Sequence, residues 1–178
     1  MKGSVVSNIP PDPLIRAAGG FAIISGIISF VGIICLVTMF ILFATPFKER
    51  GFIFGLLNDI CVAVQYLLTI PISLAVHRIL LPYNPILVRV ATLVGIAAML
   101  VVIALQLALV FEIITFQRQV VWLSLVMIVG VGSWLIITGL VARSAAKLPN
   151  SVIMSAVAVP YFGYPVWAIW LGRHLLGW

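Results

Sequence analysis

Long uncharged stretches alternate with short charged clusters along this chain. Five apolar runs occupy 17–45, 52–77, 90–111, 119–142 and 152–172. Each reaches the ~20 residues that a helix needs to cross hydrocarbon. Within a run the apolar residues are continuous, whereas barrel strands alternate apolar and polar positions. The pattern predicts an all-α integral membrane bundle of about five transmembrane helices. The connections "TPFKER", "RILLPYNPILVR", "EIITFQRQ" and "RSAAKLPNS" are short. Consecutive helices are therefore expected to be antiparallel neighbours in one transmembrane domain, 1–178.

The second run breaks the apolar pattern in an ordered way. It reads "GLLNDICVAVQYLLTIPISLAVHRILLPYNP" from Gly55 to Pro85. At 100° per residue, Asn58, Asp59, Gln65, Tyr66, Thr69, Ser73 and His77 fall within an arc of about 120°. Ile60, Leu67, Leu68, Ile70 and Leu74 lie largely outside it. A helix with this pattern turns its polar face away from lipid. Pro71 sits off the arc and is expected to kink the helix.

Asp59 is the acidic residue farthest from a span end. An ionised carboxylate at bilayer depth costs on the order of 3 kcal/mol on insertion scales, so it calls for a partner, water or a proton. Gln106 and Tyr164 are expected in the same outer half of the bilayer. Asn58, Asp59, Gln65, Tyr66, Gln106 and Tyr164 thus form the candidate ligand-binding cluster. The competing expectation for the same six residues is a hydrogen-bond network that holds helices together.

Composition narrows the class further. The chain is 64% hydrophobic and 8% charged, with a mean hydropathy of +1.31. No water-soluble domain covers its surface with so few polar groups. The net charge of +6 is spread through loops, which speaks for orientation in a bilayer and against nucleic-acid binding. With five spans the two termini face opposite sides. Lys2, Arg16, Arg78, Arg89, Arg143 and Lys147 then lie on one side and Lys48, Arg50, Arg118 and Arg173 on the other. That bias predicts a cytoplasmic N-terminus. Trp122, Trp167, Trp170 and Trp178 are expected near the external face, as an aromatic belt.

The remaining features predict packing more than chemistry. Ala18, Ala22, Ser25, Ser29 and Gly32 make a small-residue stripe that lets helices approach closely. Cys35 and Cys61 read as packing residues, with no metal-ligand spacing. His77 and His174, each beside an arginine at a helix end, are expected at opposite faces and so unable to share a haem. Motifs of hydrolases, zinc proteases and phosphate-binding loops are absent. No cofactor or metal is expected. The start, "MKGSVVSNIPPDPLIRAAGG", lacks the apolar core of a cleavable signal, and Asp12 is placed to begin the first helix.

One stretch carries a family likeness. "NDICVAVQYLLTIPISLAVHRILLPYNPILVRVATLVG" resembles uncharacterised bacterial multi-pass membrane proteins grouped as a domain of unknown function. The shared elements are an early acidic residue in a span, the His77-Arg78 exit and the Leu-Pro-x-Asn turn at Leu81–Asn84. The chain departs from that pattern at His77, where an aromatic residue is expected, and in its proline-rich end. The resemblance implies a bacterial helical bundle and brings no activity with it. The leading functional expectation is an inner-membrane protein that binds or passes a small hydrophobic or amphipathic ligand through a polar-lined cavity. An accessory subunit docking a membrane-protein partner or a second copy, and an intramembrane enzyme, are the alternatives.

Overall fold

The structure is a computed structural model, and it describes residues 12–145 and 163–177. Among these, every regular element is helical. Helix α1 runs Pro13–Phe43. Asp12 caps it, its Oδ1 accepting from the Leu14 N–H at 2.9 Å, and Pro13 supplies a first residue that has no N–H to satisfy. Helix α2 runs Lys48–Leu80 and continues through Pro71. Helix α3, Pro85–Val110, starts by the same device as α1. Asn84 Oδ1 accepts from Leu87 N at 3.2 Å, with Pro85 next in line. Helix α4, Phe116–Ser144, carries one π-helical turn at Met127–Gly132. Helix α5 is Gly163–Leu176.

The first four helices are long and apolar enough to cross a membrane. The expected fifth span, 152–172, falls partly outside the described residues, as do Lys2, Lys147 and Trp178 of the expected charge bias and belt. The described part of that span belongs to α5, whose 14 residues make about 20 Å at 1.5 Å per residue.

Burial follows the rule for bundles in lipid. The interior holds small and polar side chains, among them Ser25, Thr69, Ser73, Thr92 and Gln106. Phe21, Ile34, Phe40, Phe52, Leu93 and Ile128 point outward. In water that distribution would be ruinous. In hydrocarbon it removes polar groups from lipid and costs the large apolar ones nothing. The expected arc of α2 faces the interior. Asn58, Gln65, Tyr66, Thr69 and Ser73 are buried, Asp59 and His77 are half-buried, and Leu67 and Leu74 are exposed.

Helix α1 packs on α2 and α5, α2 on α3, and α3 on α4. The small-residue stripe of α1 is buried, and its Gly32 faces α2, where an added Cβ would stand 3.2 Å from Cys61 Cβ. Other small residues, Gly19 and Gly26, meet α5. A Cβ on Gly26 would come within 2.9 Å of the Pro165 carbonyl oxygen, and one on Gly172 within 2.7 Å of the Gly19 oxygen. The α1 and α5 backbones nearly touch at both crossings, as small residues permit. Between α3 and α4, Gly95 makes room for Trp134.

These contacts fix the direction of α5 and correct the expected topology. Gly19 meets Gly172 and Leu176, whereas Gly26 meets Pro165 and Ile169. Helix α5 is therefore antiparallel to α1, and its C-terminal end lies level with the start of α1, not at the opposite face. Arg173 and His174 join the face that holds Arg16, His77 and Arg78. The two histidines share a face instead of facing apart. Trp167 belongs to the interior, edge-on to Trp134 with ring centroids 6.0 Å apart, and not to an external belt. The physical reason is the close approach at Gly19, Gly26 and Gly172, which run length alone does not reveal.

Candidate functional site

The polar face of α2 builds two adjacent clusters, and α5 decides the difference between them. The first is organised by Tyr164, at the beginning of α5. Its hydroxyl lies 2.7 Å from Ser25 Oγ and makes a second, short hydrogen bond with Thr69 Oγ1. Thr69 Oγ1 also donates to the Gln65 backbone oxygen at 2.7 Å, and Ser25 Oγ stands 3.3 Å from that same oxygen. Three hydroxyls hold three protons for these four contacts. The three shorter ones are satisfied together when Ser25 donates to Tyr164, Tyr164 to Thr69, and Thr69 to the carbonyl. Every hydroxyl proton is used, and the cluster is closed. Its depth is about 18 Å from the start of α1, since Ser25 follows Pro13 by twelve rises of about 1.5 Å.

The second cluster lies farther along α1, and no described residue of α5 lines it. A cavity of about 20 Å³ is lined by Ser29, Gly32, Asn58, Gln65, Tyr66 and Met127, with Ile33, Val62 and Leu123 completing the wall. On this measure one water needs roughly 10–15 Å³. The cavity therefore admits one water-sized group. Asn58 is 5% exposed, and its Oδ1 is buried with no hydrogen-bond partner among the described residues. Its Nδ2 donates to Asp59 Oδ1 at 3.4 Å. Tyr66 donates its hydroxyl proton to Met127 Sδ at 2.8 Å. Gly32 keeps the space open, for a Cβ there would stand 3.5 Å from Asn58 Oδ1 and 3.2 Å from Cys61 Cβ.

The far wall is built differently from the near one. Helices α1 and α2 pack backbone to backbone, whereas α1 and α4 have no close backbone approach among the described residues. Among the described residues, the side chains of Leu123 and Met127 face α1 across the cavity. Met127 opens the π-helical turn of α4. Such turns often mark functional positions, and methionine repacks readily.

Of the six expected site residues, Asn58, Gln65 and Tyr66 line the cavity together. Tyr164 is next to them, its ring centroid 6.4 Å from that of Tyr66, but it belongs to the closed cluster. It reaches this place from the middle of the bundle, because α5 runs opposite to the expected direction. Asp59 is half-buried beside Asn58 and is not part of the cavity lining. Gln106 accepts from Gln119 Nε2 at 2.6 Å, in a buried pair between α3 and the first turn of α4. Ser25 and Ser29 were legible only as packing residues, although the i, i+4 spacing of serines beside a polar helix was a signal. Met127, Leu123 and Gln119 gave no sequence signal.

At the face shared by the start of α1 and the end of α5, His77 Nδ1 and Thr92 Oγ1 are 3.1 Å apart. Arg78 forms a 2.8 Å ion pair with Asp12. That bond and the Leu14 N–H hold the Asp12 carboxyl below the usual carboxylate range, the backbone bond being the larger cause. Among the described residues no three His, Cys, Asp or Glu side chains gather as metal ligands. Neither a family model, nor a curated protein, nor a solved structure matches the chain.

Proposed function

We propose that the chain is a multi-pass protein of a bacterial inner membrane that binds, or passes, a small amphipathic ligand at the Asn58 cavity. The observation that carries this is the orphaned Asn58 Oδ1. A buried acceptor without a partner costs about 1–3 kcal/mol. A protein that only needed helix adhesion would gain by placing an apolar residue there. The cavity around that oxygen has the form of an occluded site. Its size admits one polar head group, and the α1–α4 gap closed by Leu123 and Met127 supplies a lateral way for an apolar tail. The bacterial origin rests on the resemblance of the Asn58–Gly95 stretch.

The same reading includes an orientation. Arg16, Arg78, Arg89, Arg143 and Arg173 lie at one face, against Lys48, Arg50 and Arg118 at the other, once α5 is placed as the glycine contacts require. Basic residues favour the cytoplasmic side, so the start of α1 and the end of α5 are both assigned to the cytoplasm. A second reading draws on Asp59. This carboxyl is half-exposed at membrane depth, where a polar group from a partner subunit would complete it.

Native mass spectrometry of protein released directly from its membrane separates the two. The ligand reading expects a small-molecule adduct on the parent and its loss in Gly32→Ala, whose added methyl enters the cavity. A protein subunit retained equally by both forms, with no small adduct on either, would favour the accessory role and overturn the ligand reading.

A further inference from the structure

The chemistry around the cavity says which kind of head group fits it. Asn58 has two polar ends, and Asp59 decides how they are used. A carboxylate accepts hydrogen bonds, so the amide nitrogen turns to Asp59 and the amide oxygen is left for the cavity. Asn58 therefore presents lone pairs to the cavity.

The electrostatics point the same way. Asp59 is the next residue to Asn58, and every Lys and Arg of the described residues lies toward one of the two faces. A site of low polarity beside one carboxylate carries a negative potential that water screens weakly. An anionic head group would meet lone pairs and a like charge. A neutral hydroxyl would satisfy one acceptor and leave the potential unanswered. A protonated primary amine brings three N–H donors and a positive charge, in a volume close to that of one water. Tyr66 adds an aromatic ring to the cavity wall, a surface that attracts cations. A trimethylammonium group has no N–H to offer and is too large for a cavity of about 20 Å³.

We infer that the Asn58 cavity is a binding site for the primary ammonium head of an amphipathic amine, with the hydrocarbon tail passing between α1 and α4 past Leu123 and Met127. The inference rests on the reading of this cavity as a ligand site and names the ligand class for it.

The test uses the full chain in nanodiscs of phosphatidylcholine. Decylamine, which like a lysine side chain is protonated at neutral pH, is compared with decanol and decyltrimethylammonium by thermal unfolding. Decylamine should raise the midpoint in a saturable way, with smaller effects from decanol and none from decyltrimethylammonium. Asn58→Leu should abolish the shift. Asp59→Asn should weaken decylamine by about tenfold or more, since hydrogen bonds and charges that act on an ion are worth more than neutral ones. The comparison of the three amphiphiles on the parent protein needs no variant to fold. Equal shifts with decylamine and decanol would overturn the ammonium assignment and leave a ligand site of another class. A shift that survives Asn58→Leu unchanged would place the amine elsewhere on the protein, and would also overturn it. No shift with any of the three, while the adduct from native membranes is still lost in Gly32→Ala, would reject the amine and keep the site.

Discussion

Two polar clusters share the inner face of α2 and meet at Gln65, and they have opposite character. At the Tyr164 cluster, three hydroxyls and one carbonyl consume each other's hydrogen-bonding capacity. At the Asn58 cavity, one amide oxygen is buried and unmatched. Both draw on the same two helices, α1 and α2. Among the described residues the difference is Tyr164 of α5, which reaches Ser25 and Thr69. A polar residue inside a membrane bundle is therefore not a site by virtue of being polar. Where a third helix completes it, it is adhesive. Where no described residue completes it, its unmet capacity is available to something else.

The largest effect should come from removing α5 from this comparison. Gly26 lets the Pro165 carbonyl approach, and Ile169 Cγ1 would stand 2.7 Å from an added Cβ. Gly26→Leu must push the two helices apart. Overpacking of a tight contact costs typically 1–3 kcal/mol and sometimes more, and about 3 kcal/mol is expected where the obstacle is backbone. Thermal unfolding in detergent should show a larger drop than any single substitution within the two polar clusters. A parent-like midpoint would mean that α5 does not depend on this crossing, and the account of why the Tyr164 cluster is closed would lose its basis.

Next in size is a difference between the two clusters. Tyr164→Phe breaks the hydroxyl chain and strands Ser25 and Thr69. Interhelical hydrogen bonds in membrane proteins are worth about 0.6 kcal/mol on average and up to about 1.7, so a loss of about 1 kcal/mol is expected. Asn58→Leu removes an acceptor that has no partner and a 3.4 Å bond near the limit of hydrogen bonding. It should leave stability unchanged or raise it. Measured side by side, Tyr164→Phe should lower the unfolding midpoint and Asn58→Leu should not. If Asn58→Leu costs as much as Tyr164→Phe, the cavity is a satisfied network and not an open site.

How much of this was legible in the sequence follows from what a helical pattern can carry. The all-helical fold and the inward face of α2 were readable because both depend on periodicity. Asn58, Gln65 and Tyr66 came together for the same reason, as neighbours on one stripe of one helix. Gln106 was assigned by depth alone, and depth does not choose among partners around a bundle. Gln119, one turn into α4, took it. Tyr164 was placed by counting from the wrong end of its helix. The direction of α5 is set by Gly19 and Gly26 meeting Gly172 and Pro165, a pairing between segments far apart in the chain that no local pattern contains. Met127 escaped notice because a methionine in an apolar run is ordinary until its sulfur is seen against Tyr66.

The smallest expected effect lies at the rim, where the comparison can be run against an ion pair instead of buried hydroxyls. Asp12 ties the start of α1 to the end of α2 through Arg78, and it also caps α1. Its folded carboxyl titrates below the ordinary value, near 3.9 in an unstructured chain. The stabilisation it gives is thus complete above that value and is lost as pH falls through it toward the folded value. Asp12→Asn separates the two roles, because asparagine caps a helix as well as aspartate does but has no charge to pair. At neutral pH the variant should melt slightly below the parent, by less than either interior change, since exposed ion pairs contribute little. As pH falls below about 4 and on through the lower folded value, the two curves should converge, for the parent carboxyl becomes neutral there as well. A gap between them that stays constant down to the lowest pH would show that the ion pair contributes nothing. The junction of α1 and α2 would then be held by packing alone, and the rim would differ from both interior clusters in having no polar contribution to lose.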